Sequence, residues 1–162
     1  MYNLLKKVYS NKKLCGCLSA VAELSVVLTA LSFVPLMWGA ALISPISALK
    51  VLVITAVPLL FVTLLRSHVN APRPYELYDF YEHRPKNKTG ESFPSRHAYS
   101  SFVLATVSAF IYPLLGVILL VLGIIICTTR VLLGIHFLRD VAAGALIGIV
   151  SGLFGVYILI PF

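Results

Sequence analysis

Apolar residues fill most of this chain in long runs, and polar positions interrupt them at only a few places. The run from Leu14 to Ser44 contains no lysine or arginine and a single acidic residue, Glu23. It is too long for a signal-peptide core of about 7–15 residues, and too short for two membrane crossings of about 20 residues each. It therefore predicts one long helix, bent at Pro35. A second run, Ile46 to Leu65, predicts another span with a kink at Pro58. Polar and charged positions then collect between Arg66 and Phe93. Beyond them the pattern predicts three more spans. The first runs from Pro94 to Tyr112-Pro113, where the proline marks a tight turn, the next from Leu114 to Thr129, and the last from His136 to Phe162. The expected fold is all-α: a polytopic membrane helix bundle of five transmembrane helices. Residues 14–162 form its single domain, behind a lead-in over residues 1–13.

Composition strengthens this reading. Hydrophobic residues make up 59% of the chain and charged residues 12%, which is far from a soluble balance. In the lead-in, Lys6, Lys7, Lys12 and Lys13 alternate with Leu4, Leu5 and Val8, the make-up of an amphipathic segment at lipid headgroups. The net charge of +7 is spread along the chain with no soluble domain to present it, which argues against a nucleic-acid partner. Cys15, Cys17 and Cys127 are too few for a disulfide framework, and Cys15-x-Cys17 has no further soft ligands nearby for zinc. Five spans put the N-terminus, the Arg66–Phe93 loop and the Thr129–His136 turn on one face. If Lys and Arg mark the inside, that face is cytoplasmic. Glu23, well inside the first span, calls for a partner on a neighbouring helix or a cavity.

Three clusters fall on this charged face: Arg66 and Arg73; Ser95, Arg96 and His97; Arg130, His136 and Asp140. Pro94 reads as the first residue of a helix, which puts Ser95, Arg96 and His97 in a first turn whose free N–H groups and dipole attract anions. Taken singly, an arginine at a membrane edge is more often a topological or headgroup contact, and a helix-end histidine more often an interfacial residue. Taken together, they suit phosphoryl transfer. Arginine forks match phosphate oxygens in geometry and charge. His136 and Asp140, spaced i, i+4, share a helix face, so a carboxylate can orient an imidazole nucleophile. His97 can protonate the leaving oxygen and then activate water.

The blocks read Arg66-x6-Arg73-Pro74, Pro94-Ser95-Arg96-His97, and Thr129-Arg130-x5-His136-x3-Asp140. In that order they resemble the signature of the type 2 phosphatidic acid phosphatase superfamily: Lys-x6-Arg-Pro, Pro-Ser-Gly-His, and Ser-Arg-x5-His-x3-Asp. The resemblance implies a phosphohistidine on His136, oriented by Asp140, with His97 as acid. Arg66, Arg73, Arg130 and Ser95 would bind phosphate, with no metal and no cofactor. Three positions depart from it. Arg66 stands for lysine, Thr129 for serine, and Arg96 for glycine. The Arg96 side chain reaches the phosphate, reaches a second charged group such as a pyrophosphate, or points outward to headgroups. The resemblance also implies a multi-pass protein of a bacterial plasma membrane with its site facing outward, against the charge count. The expected substrate is a lipid phosphomonoester or pyrophosphate of the phosphatidic acid, phosphatidylglycerol phosphate, lipid A or polyprenyl pyrophosphate type. A lipid phosphotransferase using the same phosphohistidine and a non-enzymatic anionic-lipid binder are the alternatives.

Further along the last span, the i+4 ridge from His136 and Asp140 continues through Gly144, Gly148 and Gly152, predicting close contact with another helix. The loop acids Glu76, Asp79, Glu82 and Glu91 read as a solvated, headgroup-facing edge. His68 and His83 are given no catalytic role, and the glycosylation-like Asn87-Lys88-Thr89 is read as coincidental.

Overall fold

The computed structural model describes residues 2–78 and 89–159. Asp79, Glu82, His83, Asn87 and Lys88 lie outside the described residues. In chain order the helices are α1 (Tyr2–Ser10), α2 (Lys12–Leu31), α3 (Phe33–Ile43), α4 (Pro45–Val69), the single turn α5 (Pro74–Leu77), α6 (Arg96–Ile111), α7 (Pro113–Leu132) and α8 (Leu138–Leu159). Among the described residues every regular element is helical.

The first span breaks at Ser32, between α2 and α3, and not at Pro35 itself. Pro35 has no N–H to offer the Leu31 carbonyl, and its ring crowds that same carbonyl, so the disturbance falls one turn earlier. Ser32 Oγ donates to Thr29 O at 2.6 Å beside the break. By contrast α4 runs on through Pro58 and ends at Val69, which carries Arg66 into its last turn. Asn70 closes the helix in a left-handed conformation, φ 43°.

Four segments have the length and apolarity of a crossing: Lys12–Ile43, Pro45–Leu77, Pro113–Leu132 and Leu138–Ile158. The fifth expected span is α6. Its 16 residues reach about 24 Å at 1.5 Å per residue, short of a bilayer core of about 30 Å. It sits at the centre of the bundle, packed chiefly against α7 and α8. Enclosure by its neighbours lets it carry polar groups that lipid would not tolerate. Tyr99, fully buried, donates its hydroxyl to Thr55 O of α4 at 2.9 Å. Around it Leu36, Val51, Val62, Val103, Val107 and Leu119 form the core, while Leu24, Trp38, Leu42, Leu114 and Phe154 project outward as a lipid-facing surface.

The glycine ridge of α8 lies against α6. A Cβ on Gly144 would strike the Ser95 carbonyl. One on Gly148 would come 2.6 Å from Tyr99 O and 2.9 Å from Val103 N, and one on Gly152 would come 2.8 Å from the Thr106 side chain. The two backbones thus touch along three turns.

Two other expectations change. Glu23 is exposed on α2 and has no hydrogen bond or ion pair among the described residues, so none of the described helices supplies its partner. The apolar side of α1 meets protein where the sequence suggested headgroups: Leu5 and Val8 are buried, while Lys6 and Lys7 are exposed.

Candidate active site

The site is built where the two halves of the polar segment are stitched together. Beyond α4, the Asn70 side-chain oxygen accepts from Glu91 N at 3.2 Å, and Ala71 O accepts from Ser92 N at 2.9 Å. Glu76 Oε1 accepts from both Arg73 N, at 3.1 Å, and Gly90 N, at 2.8 Å. Glu76 is thus a bracket inside the loop and not part of a solvated acidic edge. Gly90 and Glu91 both have positive φ, 64° and 50°, a conformation uncommon for a residue such as glutamate.

The arginines take part in this stitching. Arg73, 6% exposed, donates from Nε to Gly90 O at 2.8 Å. Arg66, 4% exposed, donates from Nη1 to Pro94 O at 3.1 Å, and its Nη2 lies 4.0 Å from Glu91 Oε2. Each guanidinium has five N–H donors, so most remain for a ligand. Arg66 Nε is buried with no hydrogen-bond partner among the described residues, a state that costs free energy unless an acceptor arrives.

Pro94 precedes the helix and does not open it. Ser95 is the N-cap of α6, its hydroxyl accepting from Ala98 N at 3.4 Å, and its own N–H donates to Asp140 O at 2.9 Å. A serine side chain can take up an orphan N–H of the first turn, which proline cannot, so the helix starts at Arg96. The Ser95 hydroxyl is therefore turned to its own helix. Arg96 and His97 are the first two helical residues, both partly exposed. Arg96 makes no hydrogen bond or ion pair among the described residues. Arg130, Arg96, Arg66 and the His136 ring all fall within electrostatic reach of His97.

His136 lies in the turn between α7 and α8, 2% exposed. That turn is shaped by Gly134 at φ 64°, just past the end of α7, where a left-handed residue lets the last carbonyls be satisfied. Arg130 O accepts from Ile135 N at 3.0 Å and His136 N at 3.3 Å, and Gly134 O accepts from Tyr75 N at 3.2 Å. Arg130 therefore supplies the backbone seat of the histidine. His136 Nδ1 is 3.8 Å from Asp140 Oδ2, within ion-pair range but beyond a hydrogen bond. Thr129 spends its hydroxyl on Ile125 O and Ile126 O of its own helix, at 2.8 and 3.0 Å. Leu5 of α1 lines a small cavity together with Pro74, His136 and Phe137.

Burial pushes the His136 imidazole below its ordinary pKa of 6.5, opposed by the Asp140 carboxylate and reinforced by the charges of Arg73 and Arg66. A lowered value keeps the ring neutral, and hence nucleophilic, into mildly acidic solution. If His136 is the nucleophile, the acid limb of the kcat/KM profile is expected below pH 6.5. An acid limb at or above the ordinary imidazole value would show that burial does not govern this residue.

Arg66, Arg73, Arg96, His97, Arg130, His136 and Asp140 thus meet at one end of the bundle. A sequence model of the PAP2 superfamily matches residues 47–160, which is more than half of the chain and takes in all three blocks. The chain belongs to the PAP2 superfamily. No match was found among curated proteins. Among solved structures, Aquifex aeolicus LpxE superposes with a TM-score of 0.71 at 23% identity, over 96% of this chain and 94% of that one. A PAP2-type phosphatidylglycerolphosphate phosphatase from Bacillus subtilis gives a TM-score of 0.66 at 18% identity, over 93% of this chain and 80% of that one. The fold of this PAP2 protein is that of membrane-embedded helical bundles, and it is an integral membrane protein.

One residue of the PAP2 site escaped the sequence reading. Ser92 is fully buried, donates to Asp140 Oδ2 at 2.5 Å and lies 3.3 Å from His136 Nδ1. Its partners are 44 and 48 residues away, so no local spacing could have marked it.

Proposed function

We propose that this PAP2 protein is a metal-independent lipid phosphatase that works through a phosphohistidine on His136. The observation that carries the reading is a buried imidazole beside the Asp140 carboxylate, with the Arg66 and Arg73 guanidiniums within electrostatic reach. The His136 Nε2 lone pair attacks phosphorus as the bond to the leaving oxygen breaks, and His97, which takes up a proton once the phosphate offsets the cations around it, gives that oxygen its proton. His97, now a base, takes a proton from water. The resulting hydroxide adds to phosphorus, the P–N bond breaks, and phosphate leaves with His136 and His97 restored. Arg66, Arg73 and Arg130 stabilise the equatorial oxygens in both transition states. The backbone N–H groups of Arg96 and His97, which open α6 and have no carbonyl one turn back within the helix, would add to that stabilisation.

A lipid is favoured as the substrate by the other side of His97. That residue lines an apolar cavity of about 430 Å³ with Val26, Phe33, Leu52, Leu59 and Leu104, among others. An alkyl or isoprenyl chain laid there would bring its phosphate to the arginines. The candidates are phosphatidic acid, phosphatidylglycerol phosphate, lipid A and polyprenyl pyrophosphate. Partly exposed and without a hydrogen bond or ion pair among the described residues, Arg96 is available to a second charged group, so a pyrophosphate belongs in any trial beside the monoesters.

The test is purified protein in mixed micelles, each holding one of these four lipids, scored for free phosphate with and without excess chelator. Release from at least one lipid, undiminished by chelator, is expected. No release from any lipid by folded protein would remove the hydrolase reading, and loss in chelator would remove the metal-free mechanism. Consumption of the lipid phosphate without free phosphate, only when an alcohol is added, would instead mark a phosphotransferase.

A further inference from the structure

We propose that Ser92 is a positioning residue that links His136 to Asp140 and holds the imidazole with its proton on Nδ1. The inference rests on His136 being the nucleophile and concerns how that ring is oriented. At 3.8 Å, the His136 Nδ1 to Asp140 Oδ2 distance is too long for the carboxylate to orient the ring by a direct hydrogen bond. Asp140 Oδ2 is already engaged, accepting from Ser92 Oγ at 2.5 Å and from Phe137 N at 2.9 Å. The Ser92 hydroxyl has one proton, and the short contact commits it to the carboxylate. Its oxygen lone pairs are then what faces His136 Nδ1 at 3.3 Å, and a lone pair there can be met only by an N–H. The proton therefore sits on Nδ1 and the free electron pair on Nε2, the atom required for attack on phosphorus.

When the phosphoryl group is on Nε2 the ring carries positive charge, and its Nδ1–H is still held. The positive charge stays on the ring and the negative charge on Asp140, bridged by one hydroxyl, and no proton moves. The surroundings fit a serine placed for this purpose. Ser92 is fully buried, its N–H is fixed by Ala71 O, and the two residues before it take positive φ to bring it in. Arg73 and Asn70 pin the backbone of those two residues. A buried serine that merely satisfied itself could have bonded any nearby carbonyl; this one joins two groups of the reaction centre.

The experiment compares Ser92→Ala, Asp140→Asn and the double variant with the wild-type protein, in detergent, on whichever lipid phosphate the wild type turns over. For Ser92→Ala the expected result is a fall in kcat of about 10–100-fold, the usual scale for a group acting through another, with KM little changed. Because both residues act through one link, the double variant should match Asp140→Asn alone to within about threefold. Wild-type kcat in folded Ser92→Ala overturns the proposal, and so do losses that multiply in the double variant, which would mean a separate structural role. If Ser92→Ala does not fold, Ser92→Cys decides. A thiol is close in size but a weak donor and acceptor, so kcat should fall while KM holds, and an unchanged kcat refutes the link. His136→Ala run alongside separates the two ideas. If it stays active, the phosphohistidine reading has failed; if it is inert while Ser92→Ala is normal, only the link has.

Discussion

His136→Ala is expected to lower kcat by about 10⁴–10⁶-fold, the range seen when an enzyme loses its nucleophile. The size follows from the proposed division of labour, in which the other groups bind phosphate, hold its charge or move a proton, and none can replace the bond that an imidazole Nε2 makes. Substrate binding should persist, because Arg66, Arg73 and Arg130 do not depend on the His136 ring for their position. Arg66 is seated on Pro94 O, Arg73 on Gly90 O, and Arg130 on α7. The check is phosphate release together with rapid acid-free quenching of labelled lipid phosphate. The wild-type protein should carry label as an acid-labile, alkali-stable phosphoramidate, and the variant should carry none. Label retained in His136→Ala would move the covalent step to another residue.

The second large effect lies away from the chemistry. Gly144→Ala should destabilise the bundle and reduce activity together. The added methyl meets the Ser95 carbonyl, a backbone atom that cannot rotate away, so α8 must withdraw from α6. Overpacking of this sort costs about 1–3 kcal/mol. The same withdrawal strains the Ser95 N to Asp140 O hydrogen bond at the site. Thermal unfolding in detergent should therefore come at a clearly lower temperature, with kcat reduced. Gly16→Ala is the control, since a Cβ there meets nothing within 4 Å and alanine favours helix by up to about 1 kcal/mol. Equal stability of Gly144→Ala and wild type would refute the close contact of α6 and α8.

Much of this arrangement was readable from residue order. Run lengths gave the helices, because a bilayer demands long apolar segments and punishes interruptions. The blocks around Arg66, His97 and His136 gave the site, because each lies at the end of a span and the span count brings those ends together. The i+4 glycines marked α8 for a close helix contact, and the structure supplies α6 as the partner. What could not be read depends on three-dimensional partners. Pro35 names the break but not the turn in which it appears. Ser95, expected as a phosphate ligand, is also the cap of α6, which its place after Pro94 did not show. Glu76 looked like a surface acid and fastens Arg73 N to Gly90 N. Ser92 carried no mark at all, because serine is common and its importance comes from two residues on a distant helix turn.

Arg66 and Arg73 hold loop carbonyls with some of their N–H groups while others remain for an incoming phosphate. These cations are therefore fasteners as well as proposed phosphate ligands, and a protein evolving toward a new substrate is not at liberty to exchange them. Removing either would loosen the loop that carries Ser92 along with the charge. Variation in what such a protein accepts has to be sought where side chains have no second duty: at Arg96 and along the apolar wall beyond His97. Divergence among relatives with different substrates should collect at those positions, while the two fasteners stay cationic throughout.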